Sequence, residues 1–219
     1  MKLLLTSAGI TTQEIANKLA ELCNKPLATI NVAVILEASA VEPGDKSWLI
    51  TELTNLRNAI GGDIDFINIL ALDMTEVEER IAGADVLYVI GGNPDYLMHI
   101  FKQTSFTNFL TSSILHNKVY VGSSAGSMVL GHRGSTDEYQ RYYGESRTFN
   151  TTEYFNIADF VILPHFESTE LPNRHKETLI NAASKENQKI YAIKDTQAIA
   201  INDGVLSFCG GKPYSPKSV

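Results

Sequence analysis

The residues best placed to do chemistry lie where a β-rich run, residues 119–121, breaks into Gly122-Ser123-Ser124-Ala125-Gly126 and an apolar run resumes at helical spacing. The five residues fit G-x-S-x-G, a turn in which small side chains let a strand fold back into a helix and lift the serine hydroxyl above the sheet. In that geometry the Ala125 amide opens a helix and points at any oxyanion forming beside Ser124. The chemistry is acyl transfer, and the serine needs a base to take its proton. Five histidines are available. His99 falls inside an expected helix, and His116 precedes a strand at the face away from the serine. His132 and His175 sit beside charged residues in expected surface segments. Only His165 directly follows a strand, held there by the rigid Pro164, so it is the candidate base. A carboxylate should orient the imidazole. Asp137 and Glu138 within Ser135-Thr136-Asp137-Glu138, and then Glu145, Glu153 and Glu167, are all candidates. Glu167 qualifies because residues two apart in an extended chain point to the same side.

A third site of the same kind is Gly91-Gly92-Asn93, which follows another apolar run. Glycine lets the backbone approach a substrate closely, so this turn is a candidate second oxyanion donor. Its glycines lack the spacing of the dinucleotide fingerprint or the P-loop, which speaks against nucleotide binding.

These sites must be positioned by strands and helices that alternate along the chain. Strands are expected at residues 3–6, 29–36, 64–70, 85–90, 119–121 and 158–163, with short ones at 190–193 and 197–201. Helices are expected from Thr11 or Thr12 to about residue 23, at about 47–60, 75–82, from about Pro94, and at about 172–184. The β-branched, almost wholly apolar run 29–36 predicts a strand covered on both faces, and so a parallel sheet with helices on either side. Asn202-Asp203-Gly204 before residues 205–208 predicts a C-terminal β-hairpin. Residues 133–156, rich in charge and tyrosine, should form loops and short strands over the site. The expected architecture is therefore a three-layer α/β fold with a mostly parallel open sheet, forming one domain over residues 1–219. In such sheets reactive groups gather at the carboxyl ends of the strands, where Gly91-Gly92-Asn93, Ser124 and His165 all fall.

The net charge of −7 argues against a nucleic-acid footprint, which needs a basic patch, and against an anionic membrane surface. No apolar run is long enough for a membrane span, and residues 1–9 read as a first strand rather than a signal peptide. Cys23 and Cys209 are far apart and have no metal-ligand spacing, so neither a metal nor another cofactor is expected, and a reduced cytoplasmic setting is.

Three runs, V-I-G-G-N-P-D-Y-L at 89–97, V-G-S-S-A-G-S-M-V-L-G at 121–131 and I-L-P-H-F at 162–166, resemble the peptidase E family of serine peptidases. Its relatives include cyanophycinases, and it shares the flavodoxin-like core of class I glutamine amidotransferases. The resemblance implies Ser124 as nucleophile, His165 as base and acid, Gly92 and Ala125 as oxyanion hole, and Asp137 or Glu138 as the third member. The activity it implies is hydrolysis of short peptides, typified by release of an N-terminal aspartate, by a monomer or homodimer. Selecting a carboxylate calls for a basic partner. Leu179 stands where the aspartyl-selective branch has arginine, which leaves Arg174, Arg147 or Arg133 as substitutes. Asn93 and Arg174 are the substrate-binding candidates. The rival expectations are a cyanophycinase-like hydrolase, an esterase, or a non-catalytic binding module on the same fold.

Overall fold

The computed structural model describes residues 1–135, 142, 149, 151, 153–171, 173–183 and 188–216. Five parallel strands form its centre: β1 (Lys2–Thr6), β2 (Val32–Ile35), β3 (Ile64–Ile67), β4 (Val86–Val89) and β5 (Val119–Ser123). Two short strands follow, β6 (Val161–Leu163) and β7 (Ile190–Ala192), and then β8 (Ala198–Asn202) and β9 (Val205–Cys209). The seven-stranded sheet has the order β3-β2-β4-β5-β1-β8-β9, with β8 antiparallel to β1 and β9 antiparallel to β8. Asp203 and Gly204, both at positive φ, make the tight turn of the expected C-terminal hairpin.

The helices are α1 (Gln13–Cys23), α2 (Ser47–Ala59), α3 (Met74–Ala82), α4 (Pro94–Gln103), α5 (Ala125–Met128) and α6 (Lys176–Ala183). A further helical stretch, Phe106–Phe109, Leu110–Ile114 and Leu115–Asn117, leads into β5. Alternate strand residues bury opposite faces of the sheet. Leu3, Leu5, Ile35, Leu87, Val89 and Tyr120 pack on the side of α3, α4 and α5. Leu4, Val32, Val34, Tyr88, Val119 and Val121 pack on the side of α1 and α2. Two apolar layers around one central sheet give the three-layer α/β architecture expected from the continuous apolar strands.

Local chemistry shifts several expected boundaries. The run expected as a strand over 29–36 is extended only across Val32–Ile35, because Pro26 opens a single 3₁₀ turn, Leu27–Thr29, that Thr29 ties back to the Pro26 carbonyl. The strand expected to reach residue 70 ends at Ile67, where the Asn68 side chain accepts the amides of Leu70 and Ala71 and bends the chain. The helix expected at 172–184 is described over Lys176–Ala183. The strand before His165 was expected to join the main sheet, but β6 pairs in parallel with β7 in a separate two-stranded ladder. Most of residues 133–156 lie outside the described residues. Among the described residues no helix is long and apolar enough to cross a membrane.

Candidate active site

The loop that lifts Ser124 is built by close packing. β5 ends at Ser123 and α5 begins at Ala125, leaving Ser124 at φ 44°, ψ −108° between them. A non-glycine residue held there is strained and persists only because its neighbours fix it. Its amide donates to the Thr6 carbonyl, and the Ser127 hydroxyl clamps the carbonyls of Thr6 and Gly122. Gly126 must be glycine, because a Cβ there would lie 2.1 Å from the Val89 carbonyl oxygen. This contact presses α5 onto β4 and brings the elbow beside the next turn.

That turn is Gly91-Gly92-Asn93. Gly92 sits at φ 132°, and a Cβ on it would lie 2.1 Å from the Ala38 carbonyl oxygen. Only glycine fits this crossing of two loops. Among the described residues, neither the Gly92 amide nor the Ala125 amide donates to any protein acceptor. The Asn93 side chain accepts the Tyr96 amide and caps α4, with Pro94 at the first helical position. The structure thus gives this substrate-binding candidate a role in ending the turn.

His165 and Ser124 meet. His165 Nε2 lies 3.1 Å from Ser124 Oγ, within hydrogen-bond reach, although β5 and β6 belong to different sheets. His165 is itself at positive φ (63°), and its backbone amide donates to Ser7 Oγ at 2.7 Å. Its Nδ1 lies 2.7 Å from Asp195 Oδ1. The Ser7 hydroxyl donates to the same carboxylate oxygen at 2.7 Å, and the Thr11 hydroxyl donates to the Asp195 carbonyl at 2.6 Å. The loop after β1 therefore braces both the histidine and its carboxylate. Burial pushes the Asp195 carboxyl upward. The hydrogen bond and charge of His165, the Ser7 bond and the Arg174 charge outweigh burial and hold it below the usual value.

Sequence reasoning passed over Asp195. The expected orienting carboxylates all lie between the serine and the histidine, or just beyond it. Yet Asp195 follows the short β7 run by three residues, at a strand's carboxyl end, the same signal that selected His165. Asp137, Glu138, Glu145 and Arg147 lie outside the described residues. Glu167 turns away from the imidazole and pairs with Lys194 at 2.5 Å. The other histidines are engaged elsewhere or solvated: His132 with Asn156 and Asp159, His175 with Glu177, His99 against Phe149, and His116 exposed. Arg133 Nε lies 3.5 Å from Asp95 Oδ1. Arg174 is buried, with its charge acting on Asp195 and Tyr142. Among the described residues no group of three or more His, Cys, Asp or Glu side chains is arranged to hold a metal ion.

A hydroxyl, an imidazole and a carboxylate in a hydrogen-bonded line, beside two amides with no protein acceptor, can form and cleave an acyl-enzyme. Comparison with known proteins finds peptidases. Residues 3–208 match the family model described as peptidase family S51. An uncharacterized peptidase of Listeria monocytogenes is 26% identical over 172 residues, spanning 78% of this chain and 81% of its own. A Nostoc protein named peptidase E is 28% identical over 119 residues, spanning 54% of this chain and 46% of its own. The crystal structure of a putative peptidase E from Listeria monocytogenes superposes with a TM-score of 0.75 at 22% identity, covering 94% of this chain and 96% of that one. A peptidase from an acI-B1 actinobacterium shares the fold with a TM-score of 0.68 at 19% identity, over 96% of this chain and 87% of its own.

Proposed function

The chain belongs to peptidase family S51 and is a serine-type peptidase, and from that premise we propose that Ser124, His165 and Asp195 form its catalytic triad. The observation that carries this reading is the hydrogen-bonded line from Ser124 Oγ through both ring nitrogens of His165 to Asp195. His165 Nε2 takes the Ser124 proton as Oγ attacks the scissile carbonyl. Asp195 holds the ring in the tautomer with the proton on Nδ1 and stabilises the imidazolium that forms. The Gly92 and Ala125 amides hold the tetrahedral oxyanion. His165 returns the proton to the leaving amine, leaving an acyl-Ser124 ester. Water then attacks this ester by the same route and frees the second product.

Short peptides are the substrates this reading assigns, in keeping with relatives named peptidase E. Arg174 serves Asp195 rather than a substrate carboxylate in this assignment, so aspartyl selectivity is not attributed to it. The test pairs a fluorophosphonate with a substrate panel of Asp-Xaa, other dipeptides, β-Asp-Arg and short acyl esters. The adduct should form on Ser124 and vanish in Ser124→Ala, with turnover confined to peptides. A protein that labels nowhere, or equally well without the serine hydroxyl, sinks the triad. Turnover of β-Asp-Arg or of esters alone moves the substrate to another class.

A further inference from the structure

Behind the nucleophile strand lies an acid that this mechanism does not use. Glu52 projects from α2 into the interior and is 6% exposed. The Tyr88 hydroxyl, from β4, donates to Glu52 Oε1 at 2.7 Å. Ser123, the residue before the nucleophile, turns its hydroxyl toward the same carboxyl. The Ser123 oxygen is buried and has no well-aligned hydrogen-bond partner among the described residues. Gly9 closes the remaining side, since a Cβ there would stand 2.3 Å from Tyr88 Oη and 2.9 Å from Glu52 Cγ. Two of these neighbours lead straight to the site. β5 runs through Ser123 into Ser124, and the loop holding Gly9 also holds Ser7, which braces His165 and Asp195.

We propose that Glu52, in its protonated form, is a positioning residue for the triad, donating its carboxyl proton to the Ser123 hydroxyl while accepting from Tyr88, so that the elbow strand and the Ser7 loop stay fixed against each other. This rests on the reading of Ser124 and His165 given above. The neutral form is the one this enclosure favours. Burial pushes the carboxyl up to about 7, and the Ser123 and Tyr88 hydroxyls beside it offset only part of that. The groups facing it from β4, β5 and the loop after β1 are Tyr88, Ser123 and Gly9, and none is a cation. An anion here needs water, and water can enter only if the Gly9 loop or the end of β5 moves. Either movement loosens the geometry on which Ser124 depends.

The test is the rate at which a fluorophosphonate labels Ser124 in the full chain, followed across pH in the wild type, Glu52→Gln and Ser124→Ala. Wild-type labelling should decline through the Glu52 midpoint and, about one pH unit above it, where roughly a tenth of the acid remains protonated, fall to about a tenth of the rate the protonated acid supports. Glutamine offers the same acceptor and a permanent donor. Glu52→Gln should therefore stay within about twofold of the wild-type maximum and lose the alkaline fall. An unchanged alkaline fall in Glu52→Gln, or no fall in the wild type, overturns the proposal while leaving Ser124 as nucleophile. Wild-type protein that labels no better than Ser124→Ala at any pH overturns the triad and this role together. If Glu52→Gln does not fold, the wild type decides through carbon-13 NMR of glutamate carboxyls. A carboxyl titrating within about one unit of the labelling midpoint supports the role, and none doing so overturns it.

Discussion

At the scale of single residues, Asp195 separates orientation from proton transfer. Asp195→Asn keeps the shape but presents an amide to His165 Nδ1, which favours the wrong tautomer at Nε2. In the Ser-His-Asp template the same change lowers kcat about 10⁴-fold, and a loss of that order is expected here, read by kcat with the circular dichroism unchanged. Ser7 should matter less. Ser7→Ala leaves the His165 amide without its acceptor and removes one donor from Asp195. If the whole cost of about 1–3 kcal/mol for an unmet buried group falls on the reactive geometry, the labelling rate should drop roughly 5- to 150-fold. If Ser7→Ala labels at the wild-type rate, the loop after β1 is not a brace.

Among the elements, the β5–α5 elbow depends on an approach that permits no side chain. Gly126→Ala drives a methyl into the Val89 carbonyl and must push α5 off β4. A melting temperature lowered by several degrees, for about 1–3 kcal/mol, should accompany near-complete loss of Ser124 labelling. A variant that melts lower yet labels normally would show that the elbow does not need this contact. Such elements were readable in the sequence because glycine, proline and caps act locally. The elbow, the Asn93-Pro94 start of α4, the Thr12 cap of α1 and the Asp203-Gly204 turn are each determined by a few adjacent residues. The third member of the site was not readable that way. Asp195 reaches His165 because β6 and β7 pair in parallel, and pairing between segments about thirty residues apart leaves no periodic mark on either. The same holds for Glu52, whose burial depends on Tyr88, Ser123 and Gly9 arriving from three other segments.

For the molecule as a whole, two carboxyls, the partly exposed Asp195 and the buried Glu52, pull the pH dependence of stability in opposite directions. Asp195 ionises below its ordinary 3.8, burial notwithstanding, because His165 and then Ser7 and Arg174 favour its anion. Its contribution is present above 3.8 and is lost as the pH falls toward the lower folded value. Glu52 does the reverse, since burial raises it from 4.5 to about 7. The unfolded chain releases that proton from 4.5 upward while the folded chain keeps it to about 7, so stability declines across this window and then levels off. The loss is on the order of 3 kcal/mol. Urea unfolding at about pH 5 and about pH 8 should show the wild type losing that much relative to Glu52→Gln; a constant difference between the two proteins contradicts the assignment.

The placement of β1 also governs how the chain reaches this state. β1 lies between β5 and β8, so its partners are residues 119–123 on one edge and 198–202 on the other. As the polypeptide leaves the ribosome, Leu3, Leu4 and Leu5 emerge early, and although α1 can pack on Leu4, none of them has a strand partner until more than half the chain has been made. Such distant pairing slows folding and leaves an apolar strand open to misassociation meanwhile. In pulse-labelling hydrogen exchange during refolding, the amides of β1 should therefore gain protection late, after those of the β2–β4 pair have closed.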